Sequence, residues 1–328
     1  MARKRGRLCL MDLYVFGAGA SAAEGAPATR DLFPMAYRAL GPRFDPQVQE
    51  VWEFLEAVFQ RPVTGPEAFR YLPPLDEVIS LIDWSLHADQ GLGPEYDPPR
   101  LYRIRQALEH LVCSVLEAAL DRRRPQGGPH GRFARAVAVR SPESYALVSL
   151  NYDTLLDDAL RAAGLVPDYG LEDGPGRGPL LLKLHGSLNW AHCPACDAIA
   201  VLREPVAHLL ARSAGLACSR CGSRRLSGVV ISPTWLKRYS PGRLTRVFER
   251  ALEAVRRAHR IVFIGYSLPP ADVAVHHLLR RGLLTRAHPG PPSVQVITRG
   301  PSEAVLDRFR RLFGPDVAFD GSGFRGQT

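Results

Sequence analysis

Four short, predominantly apolar runs in this sequence each end abruptly in glycine or in a polar residue. Leu13–Phe16 runs into Gly17-Ala18-Gly19-Ala20-Ser21, and Tyr145–Leu150 into Asn151-Tyr152-Asp153. Leu180–Leu184 runs into His185-Gly186, and Ile261–Ile264 into Gly265-Tyr266-Ser267. Apolar runs of this length without regular polar alternation read as strands buried on both faces, as in a parallel sheet. Helical periodicity lies between them, at Thr154–Ala163, with Gly164 just past its end, and at Arg243–Ala258. Alternating strands and helices predict an α/β fold with a doubly wound parallel sheet. Val229–Ser232 is expected to resume that sheet and Val294–Ile297 to add its sixth strand. In an open parallel sheet the carboxyl ends of the strands line one crevice where ligands bind. Glycines there let backbone approach a phosphate, while Asn, Asp, His and Ser can hydrogen-bond ribose and amide groups.

From about Gly41 to Gly128 the pattern changes. Val51–Phe59, Leu75–Leu86 and Leu101–Leu120 place apolar residues at three- and four-residue spacing, separated by Pro/Gly clusters such as Pro73-Pro74 and Pro98-Pro99. Arg122–Gly131 reads as a basic linker. The expected division is a sheet domain built from 8–40, 132–190 and 228–320, a helical insertion with linker at 41–131, and a small cysteine module at 191–227. Trp52, Phe54 and Phe59 read as core of the insertion, not as a base-stacking platform. His276-His277 falls on a helix after the strand ending at Ile264, without metal-ligand company.

The 328 residues are 46% hydrophobic and 23% charged, which excludes a disordered chain, a coiled coil and a disulfide miniprotein. Lys+Arg outnumber Asp+Glu by 42 to 33, giving a formal charge of +9. Only Lys4, Lys183 and Lys237 are lysine, so the basicity reads first as codon bias of a GC-rich genome, while leaving nucleic acid open as a partner. Arg122-Arg123-Arg124 reads as a solvated helix end, and the basic start Arg3-Lys4-Arg5 as a tail. Asp12 interrupts the apolar run after that start, so no signal peptide is read, and no run approaches the roughly 20 apolar residues of a membrane helix. The expectation is a soluble, cytoplasmic protein with no membrane partner.

The most specific local signal is Cys193-Pro-Ala-Cys196 followed, after 21 residues, by Cys218-Ser-Arg-Cys221. Two such knuckles place four thiolates around a tetrahedral Zn²⁺, and four protein ligands leave no open position, so the metal is expected to be structural.

Taken in order, Gly-Ala-Gly-x-Ser, Asn-x-Asp, His-Gly, four zinc cysteines and Gly-x-Ser resemble the sirtuin (SIR2) superfamily. Gly17–Arg30 reads GAGASAAEGAPATR in the frame of the family's GAGxSxxxGIPDFR, and His185 precedes Cys193 by eight residues, as is usual there. Ala22 stands where the dinucleotide fingerprint has its third glycine. The resemblance implies a Rossmann-like domain carrying a zinc ribbon, with NAD⁺ as substrate and its nicotinamide–ribose bond cleaved. It implies cofactor contacts at Gly17, Ala18, Gly19, Ser21, Pro27, Arg30, Asn151, Asp153, Gly265 and Ser267. Asn151 would meet the nicotinamide ribose or an ordered water, Asp153 the nicotinamide amide, and His185 would act as general base.

Departures from the deacylating members shift the expected activity. They carry Asp-Phe before the loop arginine, where this chain has Ala28 and Thr29. Their peptide-pairing segment falls here on Ser232-Pro233-Thr234, and proline cannot donate to a strand ladder. Leu184–Trp190 (LHGSLNW) and Gly265–Pro269 (GYSLP) look closer to the SIR2-like branch that includes NAD⁺ hydrolases of antiphage defence. Hydrolysis of NAD⁺ to ADP-ribose and nicotinamide, carried by Asn151 and His185, is therefore the leading expectation. An NAD⁺-dependent lysine deacylase or ADP-ribosyltransferase is the alternative, and a non-catalytic NAD⁺ or ADP-ribose sensor a third. Because a constitutive hydrolase would be toxic, gating by a second copy or a regulatory protein through the helical insertion is also expected.

Overall fold

The computed structural model describes residues 11–27, 29–41, 46–120, 127–172, 174, 176, 178–206, 209, 216–224, 226–230 and 242–328. Ala28, Arg122-Arg123-Arg124, Ser232-Pro233-Thr234 and the basic start, on which readings above rest, lie outside the described residues. In chain order the elements are β1 (Met11–Phe16), α1 (Ala18–Ala22), α2 (Leu32–Leu40), α3 (Pro46–Phe59), α4 (Leu75–His87), α5 (Pro98–Leu120) and α6 (Pro129–Ala138). Then come β2 (Tyr145–Ser149), α7 (Leu155–Ala162), β3 (Leu180–Lys183), β4 (Gly186–Cys193), β5 (Ala198–Val201) and β6 (Ser227–Val230). The chain continues with α8 (Gly242–Arg257), β7 (Ala258–Ile264), α9 (Val273–Leu284), β8 (Ser293–Ile297), α10 (Glu303–Phe313) and β9 (Ala318–Asp320).

Every residue of β1 is buried, because β1 lies at the centre of a six-stranded parallel sheet with helices on its faces. The strand order is β3-β2-β1-β7-β8-β9, the arrangement of a Rossmann sheet. Strand order reverses between β1 and β7. The loops leaving those two strands therefore flank the crevice at the topological switch point.

Two strand assignments differ from the sequence reading. The run at Val229 does not join the parallel sheet: β6 pairs antiparallel with β4, Gly186 opposite Val230 and Ser187 opposite Val229. An apolar run of that length fits either sheet, and its backbone partners here are the residues just beyond His185. The sixth parallel strand is instead β9, a three-residue edge strand on β8. With β5 on its other side, β4 forms a three-stranded antiparallel sheet that leads into the cysteine knuckles.

Two apolar cores are distinguishable. One surrounds the parallel sheet. The other joins α2, α3, α4 and α5, with Trp52 and Phe54 buried and Phe59 packed against it, as their helical spacing predicts. This helical layer also draws in Ala26, Leu32, Phe33 and Ala36 from before residue 41, and Leu188 from β4. The stretch read as linker to Gly131 ends instead inside α6, where His130 is buried against Glu24. Among the described residues no helix is long and apolar enough to cross a membrane.

Candidate active site at the strand ends

The loops after β1 and β7 interlock. The Gly17 N–H donates to the Ile264 carbonyl at 2.9 Å, and the Gly19 N–H to the Gly265 carbonyl at 2.8 Å. Gly265 has φ +63°, and a Cβ there would lie 2.1 Å from the Ala20 nitrogen. A Cβ on Gly17 would lie 2.8 Å from the Gly265 carbonyl oxygen. Glycine is thus required at both positions by the other loop's backbone.

This contact sets α1, and with it Ser21, beside the loop after β2. The Asn151 amide donates to the Gly17 carbonyl at 2.9 Å and to the Ser21 hydroxyl at 2.8 Å. Both amide hydrogens are therefore directed into the protein. Ser21 in turn donates to Asp153 Oδ2 at 2.6 Å, while Asp153 Oδ1 accepts from the Leu155 N–H at 3.0 Å, opening α7. Ser21, Asn151 and Asp153 are all buried. Removing one member would strand polar partners away from water, at about 1–3 kcal/mol.

His185, at the end of β3, closes the cluster. It is 6% exposed, and its Nδ1 donates to the Leu150 carbonyl at 3.0 Å. That bond leaves Nε2 as the nitrogen able to exchange a proton. Nε2 lies 3.5 Å from Asp272 Oδ1, and Asp272 is 4% exposed. The other Asp272 oxygen accepts from the Tyr266 hydroxyl at 2.8 Å. An imidazolium formed at His185 thus faces a carboxylate that is itself held in place. Burial pushes the Tyr152 phenol well above its ordinary value, with Arg105 opposing and Asp272 reinforcing, so it stays protonated beside the His185 ring.

Not every residue named from the sequence joins this cluster. Gly17, Ser21, Asn151, Asp153 and Gly265 share one set of linked hydrogen bonds, and His185 joins their loop at the Leu150 carbonyl beside Asn151. Ala18 and Gly19 are exposed on the first turn of α1, and Pro27 is half-buried in the loop beyond. The Arg30 side chain is 84% exposed, 3.8 Å from Asp31. Ser267 is exposed, and its carbonyl accepts from Arg308 at 3.0 Å. The sequence reading missed Asp272 and Tyr266. Only the proximity of Asp272 to a strand-end Gly-Tyr-Ser motif pointed toward it.

The four cysteines gather at the tip of the antiparallel sheet, with all four Sγ atoms within 4.8 Å of one another. Cys193 and Cys221 are 3.6 Å apart, and Cys196 and Cys218 are 3.7 Å apart. Four thiolates at about 2.3 Å from one Zn²⁺ would be spaced about 3.8 Å apart, so the cluster fits a tetrahedral ion. Desolvation raises the Cys193 thiol, but N–H groups of Cys196 and Ala195 and the neighbouring thiols outweigh it and bring it to about 6. Asp197 accepts from His192 at 3.0 Å and from the Gly242 N–H at 3.0 Å, tying the module to the start of α8.

Comparison with known proteins gives one family. A model of the SIR2-like domain matches residues 145–313, just over half of the chain. No curated protein matches the chain. Similar solved structures include Sir2Tm bound to a propionylated peptide, at 13% identity over 96% of this chain and 88% of that one, with a TM-score of 0.46. A Sir2 homologue in complex with NAD is similar at 16% identity over 96% and 85%, with a TM-score of 0.42. A mutant Sir2 homologue in complex with 2′-O-acetyl ADP ribose is similar at 18% identity over 96% and 87%, with a TM-score of 0.43. On the span of the family model, the chain belongs to the SIR2-like domain family.

Proposed function

We propose that this protein is an NAD⁺-consuming enzyme that cleaves the nicotinamide–ribose bond, preferably by hydrolysis. The observation that supports the reading is the buried Ser21–Asn151–Asp153 network at the strand ends, with the His185–Asp272 pair joined to its loop through the Leu150 carbonyl next to Asn151. Membership of the SIR2-like family supports NAD⁺ as the dinucleotide bound there.

In this reading the bond from C1′ to the nicotinamide nitrogen breaks, and nicotinamide leaves with the electron pair. A water oxygen bonds to C1′, and its proton passes to His185 Nε2. Asp272 then faces the new imidazolium charge. The Asn151 amide oxygen accepts from the water or a ribose hydroxyl, since its hydrogens are committed to Gly17 and Ser21. Asp153 takes the nicotinamide amide. A Zn²⁺ bound by Cys193, Cys196, Cys218 and Cys221 would have no open position and would supply fold, not chemistry.

Ala28, Thr29 and Ser232-Pro233-Thr234 favour hydrolysis over transfer to an acyl-lysine peptide, whereas the four cysteines are the feature that favours a deacylase. The defence role follows only from the branch that the LHGSLNW and GYSLP motifs resemble, and phage challenge of cells carrying the protein or its His185→Ala variant would test it. The biochemical test is nicotinamide release from NAD⁺ by purified protein, with and without acyl-lysine peptides, for wild type, Asn151→Ala, His185→Ala and Asp272→Asn. Release without peptide is expected, falling about 10²–10⁴-fold in His185→Ala and less in Asp272→Asn. Release only with peptide would make the protein a deacylase. Tight NAD⁺ binding with no release would make it a sensor.

A further inference from the structure

A fully buried lysine lies beneath the Asn-Tyr-Asp loop, and the chemistry above does not use it. Lys183 is the last residue of β3, two before His185, and has no exposed surface. Its ammonium donates to the Asp153 backbone carbonyl at 2.5 Å and to Asp157 Oδ2 at 3.0 Å. Asp157, in the first turn of α7, is 1% exposed. Its other oxygen accepts from the Tyr169 hydroxyl at 2.7 Å, and Arg161 donates to that hydroxyl at 2.7 Å.

A dry ion pair is a poor device for stability alone. Desolvating both charges offsets most of their attraction, and replacing both with uncharged groups is often neutral for the fold. The position of this pair gives it another task. Lys183 ends β3 and His185 follows two residues later, and the two side chains take backbone carbonyls at opposite ends of one short loop: Leu150 by His185 and Asp153 by Lys183. Between them, the Leu188 N–H takes the Tyr152 carbonyl at 2.9 Å. Asn151 is carried on the segment so held.

We propose that Lys183 is a positioning residue for the candidate active site. Its ammonium fixes the Asp153 carbonyl, and so sets Asn151 and Asp153 against Ser21 and His185. Asp157 serves as its counter-charge. What the aligned loop accomplishes rests on the NAD⁺-cleaving reading. The clamp itself does not.

The double variant Lys183→Met/Asp157→Asn removes both charges together, so neither is left buried and unpaired. The new amide oxygen can still accept from Tyr169. The single variant Asp157→Asn leaves the ammonium on the Asp153 carbonyl. Three quantities are compared with wild type: melting temperature, kcat for nicotinamide release, and hydrogen exchange of the amides over 150–155. The double variant is expected to melt near wild type, to lose kcat by about tenfold to a hundredfold, and to exchange over 150–155 about tenfold faster. Asp157→Asn is expected to melt lower, yet to keep kcat per folded molecule within about twofold and its exchange over 150–155 unchanged.

A double variant with wild-type kcat and wild-type exchange overturns the proposal. If the double variant does not fold, Asp157→Asn decides: loss of about tenfold or more in kcat by its folded fraction overturns the proposal, and retained kcat upholds it. If wild type itself releases no nicotinamide, the reaction reading fails and exchange decides the clamp. Faster exchange over 150–155 in a double variant that still melts near wild type upholds it, and unchanged exchange overturns it.

Discussion

Gly265→Ala isolates the interlock between the loops after β1 and β7. Two costs are built into the position. With φ +63° it lies in the left-handed region, which costs an L-residue about 1–2 kcal/mol. The added Cβ would also lie 2.1 Å from the Ala20 nitrogen and 2.4 Å from the Gly19 carbonyl carbon. Those atoms are backbone and cannot swing aside, so relief requires moving the start of α1. Overpacking of that kind costs about 1–3 kcal/mol more. Gly164→Ala separates the two contributions, because Gly164 has φ +81° but nothing within 4 Å of its added Cβ. Unfolding in urea should show a loss of about 1–2 kcal/mol for Gly164→Ala and about 2–5 kcal/mol for Gly265→Ala, with equal slopes. Turnover per folded molecule should fall only in Gly265→Ala, since α1 carries Ser21. Equal losses at the two glycines would refute the reasoning, because the contact with α1 would then carry no energy.

Purified protein should hold about one zinc per chain with four sulfur ligands at about 2.3 Å by X-ray absorption, and Cys218→Ser should lose the metal. Metal-free protein with an intact melting transition would count against the site. A second outcome concerns Glu24. Burial pushes its carboxyl upward, but hydrogen bonds from the His130 ring and backbone N–H win and hold it below 4.5. Its folded value is therefore lower than its unfolded one, so its stabilisation is full above the ordinary carboxylate value and is lost as pH falls through the folded value. Glu24→Gln should cost about 1–3 kcal/mol at pH 7, with the gap to wild type closing below about pH 4.5. A gap that widens on acidification would contradict the assignment.

Much of the candidate site was legible in the sequence because its residues sit where strands stop. A buried parallel strand is apolar throughout, so Gly17, Asn151, His185 and Gly265 stand out as the residues that break each run. The four cysteines were legible for a similar reason, since metal geometry is written in ligand spacing. Partner choice was not legible. Ser227–Val230 has the composition of either sheet, and only its pairing with Gly186 and Ser187 places it in the small one. Ala318–Asp320 is too short to show a period. Asp272 follows two prolines and an alanine, with no local sign that its carboxylate turns toward a histidine 87 positions earlier. Lys183 interrupts an apolar run with no local sign of a partner, because its counter-charge comes from α7 across the loop.

The central position of β1 has a consequence for the order in which the chain can assemble. Phe16 pairs with Ser149 on one side and Ile264 on the other, so β1 gains its two neighbours only after much more of the chain has been made. Closure entropy grows only logarithmically, so stretching the β1–β2 connection from about 30 to about 130 residues costs about 1 kcal/mol. Time is the larger cost, because partners so remote in sequence meet slowly. The helical layer has no such delay: apart from Leu188, its buried core lies between Ala26 and Leu116. On a ribosome it can consolidate while β1 still waits. A chain released before Ala258 would keep β1 and β2 but lack β7, leaving a strand that the finished sheet buries along its whole length with one open edge, ready to pair with another copy.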